Sequence, residues 1–308
     1  IVGAYTKLSD GTTEFSGIGS DDDLQVVAPT ITEISTTTIK AGETLTITGA
    51  QLNQIQIVKF NGAANDTIKN NDLYKELTSI TVPVPSAATN GVVTLISYAG
   101  EEYTTEAITL VTPTVSIKDV QASYGVGDKV VLSGENLDLV SAAMFDGESE
   151  ATAVTLADDG TISLTVISAA KSGDITLTLK NGTTITVSGF VTTKPTIEIP
   201  TTVTPLDKLT IASTLGNRIG SLKFGEEVAE VSVNSDEEIS FQVPLAALSG
   251  NVTIVMDNGE EVDAGSITID SYTFAAITTF ATEEIVEGNL YPCEVVNGEN
   301  IEKITING

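Results

Sequence analysis

Four groups of neighbouring acids are the residues best suited to chemistry: Asp158-Asp159, Glu226-Glu227, the run Asp236 to Glu238, and Glu260-Glu261. Two carboxyl groups flanking a glycosidic bond can act as acid and as nucleophile or base. Glycoside hydrolysis is therefore the one catalytic class the chain invites. Each group falls in a predicted turn or on a strand beside one, where solvated acid is the ordinary state, and we read none of them as catalytic. There is no histidine among the 308 residues, which removes Ser-His-Asp and Cys-His catalysis and the usual zinc sites. The single cysteine, Cys293, lies in the strand-like run YPCEVV. It reads as a buried, inert thiol, with an intermolecular bridge as the alternative, and no intramolecular disulfide can form. The segment SGIGSDDD (16–23) has the glycines of a phosphate loop but leads into acid rather than into a helix start. Asp21-Asp22-Asp23 could hold calcium at a junction. Three successive carboxylates on a strand do not all point one way, so a solvated linker is preferred; no catalytic residue, metal or cofactor is assigned.

Sugar recognition needs flat apolar faces that stack on a ring, and there is no tryptophan. The candidate ligand contacts are then four tyrosines. Tyr98 and Tyr103 flank the turn AGEE, Tyr74 lies in the loop NNDLYKE, and Tyr124 precedes a turn. Tyrosine also anchors the corners of β-sandwiches, which is the plainer reading of each.

The elements that would position these residues are strands. Thr, Val and Ile are abundant, aromatic residues make up 5% of the chain, and no amphipathic helix is found. β-Branched residues suit a pleated, half-buried surface. The charge is lopsided, with 14 basic against 42 acidic residues and a net of −28. Such a chain is repelled by nucleic acid and by anionic membrane surfaces, and no stretch reaches the apolar length of a transmembrane helix.

A Pro-Thr pair recurs at Pro29, Pro113 and Pro195 with a period of roughly eighty residues. After each pair come a short alternating strand, a Gly- or Asp-centred turn and a period-2 strand (TLTITG, KVVLSG, KLTIAS). A strand closing on a turn follows (IVKFNG, AAMFDG, SLKFGE). The second half of each unit has a further strand, a small-residue turn (SAATNG, SAAKSG, AALSG) and a final hairpin (VTLISYAGEEYTT, ITLTLKNGTTITV, VTIVMDNGEEVDA). Asn-Gly between alternating strands predicts a type I′ hairpin, and about seven short strands per unit predict a β-sandwich. The in-register phenylalanines of F-N-G and F-D-G read as core.

The set formed by the Gly-Asp/Glu turn, the T-[LV]-T-[IL]-[TS]-G strand, N/Q-L, F-[ND]-G, V-P and S-G resembles the IPT/TIG family of immunoglobulin-like domains. Tandem copies of this kind resemble those of outer-surface, glycan-binding type proteins of Bacteroidetes, where such units act as spacers. The resemblance implies an all-β fold of tandem immunoglobulin-like sandwiches in an elongated array. It also implies an extracellular place on a bacterial cell surface, or on a virion surface. The third unit departs from the pattern, with Ala212-Ser213-Thr214 in place of the T-G step, and an altered loop is expected there. Relatives among transcription factors bind DNA, a use the net charge speaks against. Asn65-Asp66-Thr67 resembles an O-glycosylation acceptor of Bacteroidetes type.

The expected division is 1–28, the end of a preceding unit; 29–112, 113–194 and 195–271, three full units; and 272–308, the first part of another. The terminal pieces bury too little to stand alone. A longer array is the preferred explanation and self-association through the incomplete ends the alternative. Together these readings describe a non-enzymatic surface stalk or adhesin presenting a distal module, with surface polysaccharide or other surface proteins as partners and no nucleic acid. Three alternatives stand beside it: direct glycan or cell binding through loop tyrosines, a structural subunit of a filament, surface layer or phage particle, and a glycosidase.

Overall fold

The structure, a computed structural model, describes residues 27–62 and 76–270 in full. It describes the backbone alone of the strands Gly3–Lys7, Thr13–Gly17, Ile68–Lys69, Tyr74–Lys75, Ala276–Thr279 and Glu294–Val296. The Asp21–Asp23 run, Asn65-Asp66-Thr67, Cys293 and the Tyr74 side chain lie outside the described residues. Two compact units divide the chain. One holds Ile1–Val115, Gly134–Ser141 and Thr178–Ile185; the other holds Ser116–Ser133, Ala142–Leu177 and Thr186–Gly308.

Within the first unit, period-2 patterning builds two facing sheets. In the strand Thr44–Ala50 the residues Leu45 and Ile47 are fully buried while Thr44 is exposed and Thr46 half-buried. Side chains alternate across a strand, so the buried set defines one face. That strand sits between Thr30–Ile34 and Ser79–Pro83, with Tyr74–Lys75 at the edge. The second sheet runs Thr38–Ile39, Glu102–Leu110, Gly91–Ser97, Ile55–Lys59, Ile68–Lys69. Its first strand pairs parallel to Glu102–Leu110, so the opening strand of the sandwich changes sheets midway. This is the two-sheet antiparallel architecture of an immunoglobulin-like domain, filled by Leu45, Ile47, Leu52, Val58, Phe60, Ile80, Val93 and Leu95.

The same plan recurs. Residues 114–190 give one sheet ordered Thr114–Ile117, Lys129–Glu135, Ile162–Thr165. A second is ordered Thr152–Ala153, Val140–Phe145, Gly173–Leu179, Thr184–Phe190, and a parallel bridge joins Tyr124 to Thr192. Between Thr196 and Ile269 the two sheets merge into one of eight strands. Its nine-residue strand Glu227–Ser235 pairs at its start with Ile219–Phe224 and at its end with Glu238–Gln242. Phe60, Phe145 and Phe224 are all buried, as their recurrence in register predicts.

Two expectations need correction. The hairpins are not type I′. In each, a strand residue accepts a bond from the glycine three positions on (Gly100 to Ser97, Gly182 to Leu179, Gly259 to Met256). Only the glycine has positive φ (83°, 81° and 80°), and Asn181 and Asn258 do not. These are three-residue loops with a left-handed glycine at the end, which leaves each asparagine at the centre of the tip. The loop of the third sandwich also keeps its path. Gln51, Asn136 and Leu215 all enter it left-handed (φ 58°, 59° and 50°) and all lead into a short 3-10 turn. The steric reason is an exchange of positions. A Cβ on Gly49 would lie 1.9 Å from Thr30 O, so the first sandwich needs glycine where the third carries Ser213. The third instead needs glycine three residues later, where a Cβ on Gly216 would lie 2.5 Å from Ser235 O.

Gly49→Ala should therefore destabilise the first sandwich by about 1–3 kcal/mol, the usual cost of overpacking against backbone. Denaturant titration with a tryptophan-free far-ultraviolet readout measures it, and an unchanged midpoint would show that the strand pair can spread.

Candidate functional site

The tyrosines proposed as ligand contacts separate on burial. Tyr98 sits at the tip of the first hairpin and is 54% exposed. Its amide donates to Gln54 O at 3.0 Å. Tyr103 is half-buried against the first core, and its hydroxyl donates to Glu101 Oε2 at 2.8 Å. That bond, together with desolvation and the Glu101 charge, raises the phenol's pKa. Tyr124 is not a free platform. It is 2% exposed and stacked on Phe190 with centroids 5.7 Å apart, and its hydroxyl accepts from the Gln121 amide at 3.2 Å. Its backbone makes an isolated parallel bridge to Thr192, outside any strand, while the ring packs into the core on Phe190. The strand of Tyr74 pairs with Thr81.

What the fold does bring together lies at loop contacts, one set in each unit. Three turns of identical form recur: Lys40–Glu43, Gly125–Asp128 and Thr204–Asp207. In each, an acid four residues in accepts the amide of the first residue (Glu43, Asp128, Asp207). Three small-residue turns also recur, closed by bonds from Ala88 to Pro85, Ala170 to Ile167 and Ala247 to Pro244. In the first unit the hairpin tip 180–182 reaches the turn 85–90, where Asn181 Nδ2 donates to Ala88 O at 3.2 Å. Nearby, Lys40 Nζ and Asp138 Oδ1 pair at 2.7 Å, both partly exposed. A cleft of about 380 Å³ runs beside them, lined by Ser86, Thr89, Asn90 and Asn181 together with Leu110, Leu139 and Leu179.

The second unit repeats the contact with different chemistry. Asn258 Nδ2 donates to Ala170 O at 2.7 Å, the same bond in register. Beside it the Glu260 side chain, 12% exposed, is surrounded by donors. Lys194 Nζ lies 2.5 Å from Oε1 and the Ser172 amide 2.9 Å. Thr192 Oγ1 and Asn258 Nδ2 donate to Oε2 at 2.8 and 3.0 Å. Burial alone would raise its pKa, but Lys194, the Ser172 amide, Thr192 and Asn258 more than offset that and lower it from 4.5 to about 2. On the other side Arg218, itself buried, donates from Nη2 to Ser168 O at 2.9 Å. Its Nε lies 2.9 Å from Asp257 Oδ1; the N–H is not aligned on that oxygen, so the contact is an ion pair rather than a hydrogen bond.

Glu260 therefore departs from the sequence reading. It is not solvated turn acid but a structural anion holding a hairpin tip to a neighbouring turn. Glu261 beside it is exposed and pairs with Lys223. Asp158, Asp159, Glu226, Glu227 and Asp236 to Glu238 are exposed. Among the described residues no three Asp, Glu, Cys or His side chains gather as a metal site, and no helix is long and apolar enough to cross a membrane. Lys194 and Arg218 were missed, and Glu260 was singled out only as half of an acidic pair, because each is unremarkable alone. Placing the repeats in register exposes them, since the same positions carry Thr112, Leu139 and Thr183 one unit earlier.

Residues 29–113 match the family model of the IPT/TIG domain. No curated protein sequence matches the chain significantly. Among solved structures, one crystallised with a xylogluco-oligosaccharide is 19% identical over 79% of this chain and 60% of its own, with a TM-score of 0.26. A Bacteroides ovatus SGBP-B from a mixed-linkage glucan utilization locus, in complex with a mixed-linkage heptasaccharide, is 18% identical over 88% and 76%, with a TM-score of 0.24. A surface glycan-binding protein of Prevotella bryantii is 17% identical over 53% and 42%, with a TM-score of 0.28. The chain thus spans less than two thirds of the first and third of these proteins. Superpositions at this level assign it no ligand.

The depressed pKa of Glu260 fixes a sign for pH dependence. Its contribution is complete above the unfolded value near 4.5 and is lost as the pH falls through about 2. Glu260→Gln should lower stability at neutral pH by about 1–3 kcal/mol, the range for hydrogen bonds to a charged group. The gap to wild type should close between pH 4.5 and about 2. Thermal melts across that range measure it, and a gap that persists at the acid end would mean Glu260 acts through packing alone.

Proposed function

We propose, with the IPT/TIG domain at residues 29–113 as premise, that the chain is a non-enzymatic run of immunoglobulin-like domains acting as a stiffened spacer. The domains are 29–112, 113–194 and 195–271, the place is a bacterial cell surface, and the task is to hold a glycan-binding module away from the envelope. The observation that carries this reading is the built character of the contact around Glu260. Short peptide junctions between sandwiches leave swivel and bend unless side chains oppose them. Here a desolvated carboxylate and an asparagine amide are hydrogen-bonded across neighbouring loops, and a buried guanidinium bonds Ser168 O through Nη2 and pairs with Asp257 through an Nε that makes no hydrogen bond. A buried carboxylate that lost these donors would stand uncompensated at a cost of several kcal/mol, so the Glu260 cluster favours a single arrangement. The abundance of acid fits a solvated stalk that repels its neighbours at a crowded surface. The similar structures include surface glycan-binding proteins of Bacteroides and Prevotella, and polysaccharide is accordingly the ligand class proposed for the presented module.

One observation favours a second reading. Tyr98 exposes more than half its surface at a hairpin tip, a place from which an aromatic ring can stack on a sugar. Titration calorimetry of the chain against soluble β-glucans and xyloglucan separates the two. The spacer reading expects no saturable heat, and Tyr98→Ala and Tyr103→Ala should behave as wild type. Saturable binding that Tyr98→Ala abolishes would replace it with direct glycan recognition.

A further inference from the structure

The chain uses a single arginine, Arg218, among its 14 basic residues, and that residue is 8% exposed. Among the described residues its guanidinium makes one hydrogen bond, from Nη2 to Ser168 O. Its Nε makes none, although Asp257 lies beside it. A guanidinium is a planar fork of donors suited to a carboxylate, and a buried donor without an acceptor is costly. Arg218 also lines a cleft of about 210 Å³ together with Tyr124, Val126, Ile167, Leu215 and Asn217.

Register with the first contact explains the cleft. There Lys40 and Asp138 pair, and the second contact carries Gly125 and Asn217 at their positions. Ala41, Pro85 and Asn136 become Val126, Ile167 and Leu215, and the buried Leu139 becomes Arg218. The polar lid is lost and the rim turns apolar, while a cation replaces the leucine at the base. Val126 and Ile167 are 55% and 42% exposed, so the fold gains little from either. Leu215 is left-handed at φ 50°, where the other copies carry Gln51 and Asn136. A leucine is strained in that conformation, which asparagine visits readily.

We infer that this cleft binds a small organic carboxylate with an apolar body the size of one six-membered ring. Its carboxylate bonds Arg218, and its body lies against Val126, Ile167 and Leu215. A cavity of about 150 Å³ already admits benzene, which sets the size. The net charge of −28 opposes any free anion, and a doubly charged phosphate would find no use for apolar walls. A singly charged ligand with an apolar body meets both conditions: the walls supply the attraction and the guanidinium the orientation. The inference is independent of the spacer reading, which gives the domains a task and this cleft none.

Saturation-transfer NMR on the full chain tests it, with benzoate as the probe and benzyl alcohol as its neutral match. Wild type should bind benzoate saturably and benzyl alcohol about tenfold more weakly, the loss expected for a hydrogen bond to a charged group. Arg218→Leu, which matches the first contact at this position, should bring benzoate down to the level of benzyl alcohol. The double change Gly125→Lys, Asn217→Asp rebuilds the lid of the first contact and should abolish binding of both probes. It leaves Arg218 in place, so it carries the test alone if Arg218→Leu weakens the fold. Gly125 has room for a side chain, since a Cβ there meets nothing closer than Asp128 Oδ2 at 3.5 Å. Benzoate binding that is lost in the lid variant and in Arg218→Leu supports the inference. No binding of benzoate to wild type, equal binding of the two probes, or binding that survives the rebuilt lid would overturn it.

Discussion

An asparagine amide donated to the carbonyl of an alanine in a small-residue turn is the interaction on which the rest depends. It occurs twice in register, Asn181 to Ala88 and Asn258 to Ala170. A carbonyl at a covered loop must find a donor or lose the water it would otherwise bond. Supplying that donor from a hairpin tip fixes the distance and the rotation of the tip at once. The three-residue loop form makes this possible. With the left-handed glycine placed last, the asparagine sits at the crest, its Oδ1 bonded within its own turn and its Nδ2 free to reach outward. A type I′ turn would have spent the asparagine on backbone conformation.

Around that constant bond the chain varies the chemistry. The first contact adds Lys40 and Asp138, a pair exposed enough that screening leaves it worth little. The second adds a desolvated cluster in which every oxygen of Glu260 is bonded. The loops of the third sandwich add neither but carry the exposed leucines Leu206, Leu245 and Leu248. One backbone scaffold therefore serves a loose polar contact, a tight ionic contact and an apolar face, and only side chains change.

Much of the fold was legible because it rests on local pattern. Alternation gave the strands, the Pro-Thr period gave the repeat, and F-[ND]-G gave core positions that Phe60, Phe145 and Phe224 occupy. The turn type was not legible, since Asn-Gly tolerates several loop geometries and hydrogen-bond register decides among them. Burial of Tyr124 was hidden because its bridge to Thr192 spans a long stretch of chain. Glu260 was misread for a related reason: its donors come from residues 172, 192, 194 and 258, and no window of sequence contains them all. The Ser213 and Gly216 exchange shows the same limit, because a missing glycine looks like a broken loop until its replacement three residues on is seen against Ser235.

The central claim is that polar side chains lock neighbouring loops into one arrangement. Double electron–electron resonance across the second contact tests it most directly, with spin labels at Ser163→Cys and Ser266→Cys, both on exposed strand positions, in a Cys293→Ser background. A single narrow distance distribution that broadens when Arg218→Ala and Glu260→Ala are combined is the predicted result. A broad distribution in the otherwise unaltered protein, unchanged by those substitutions, would contradict it.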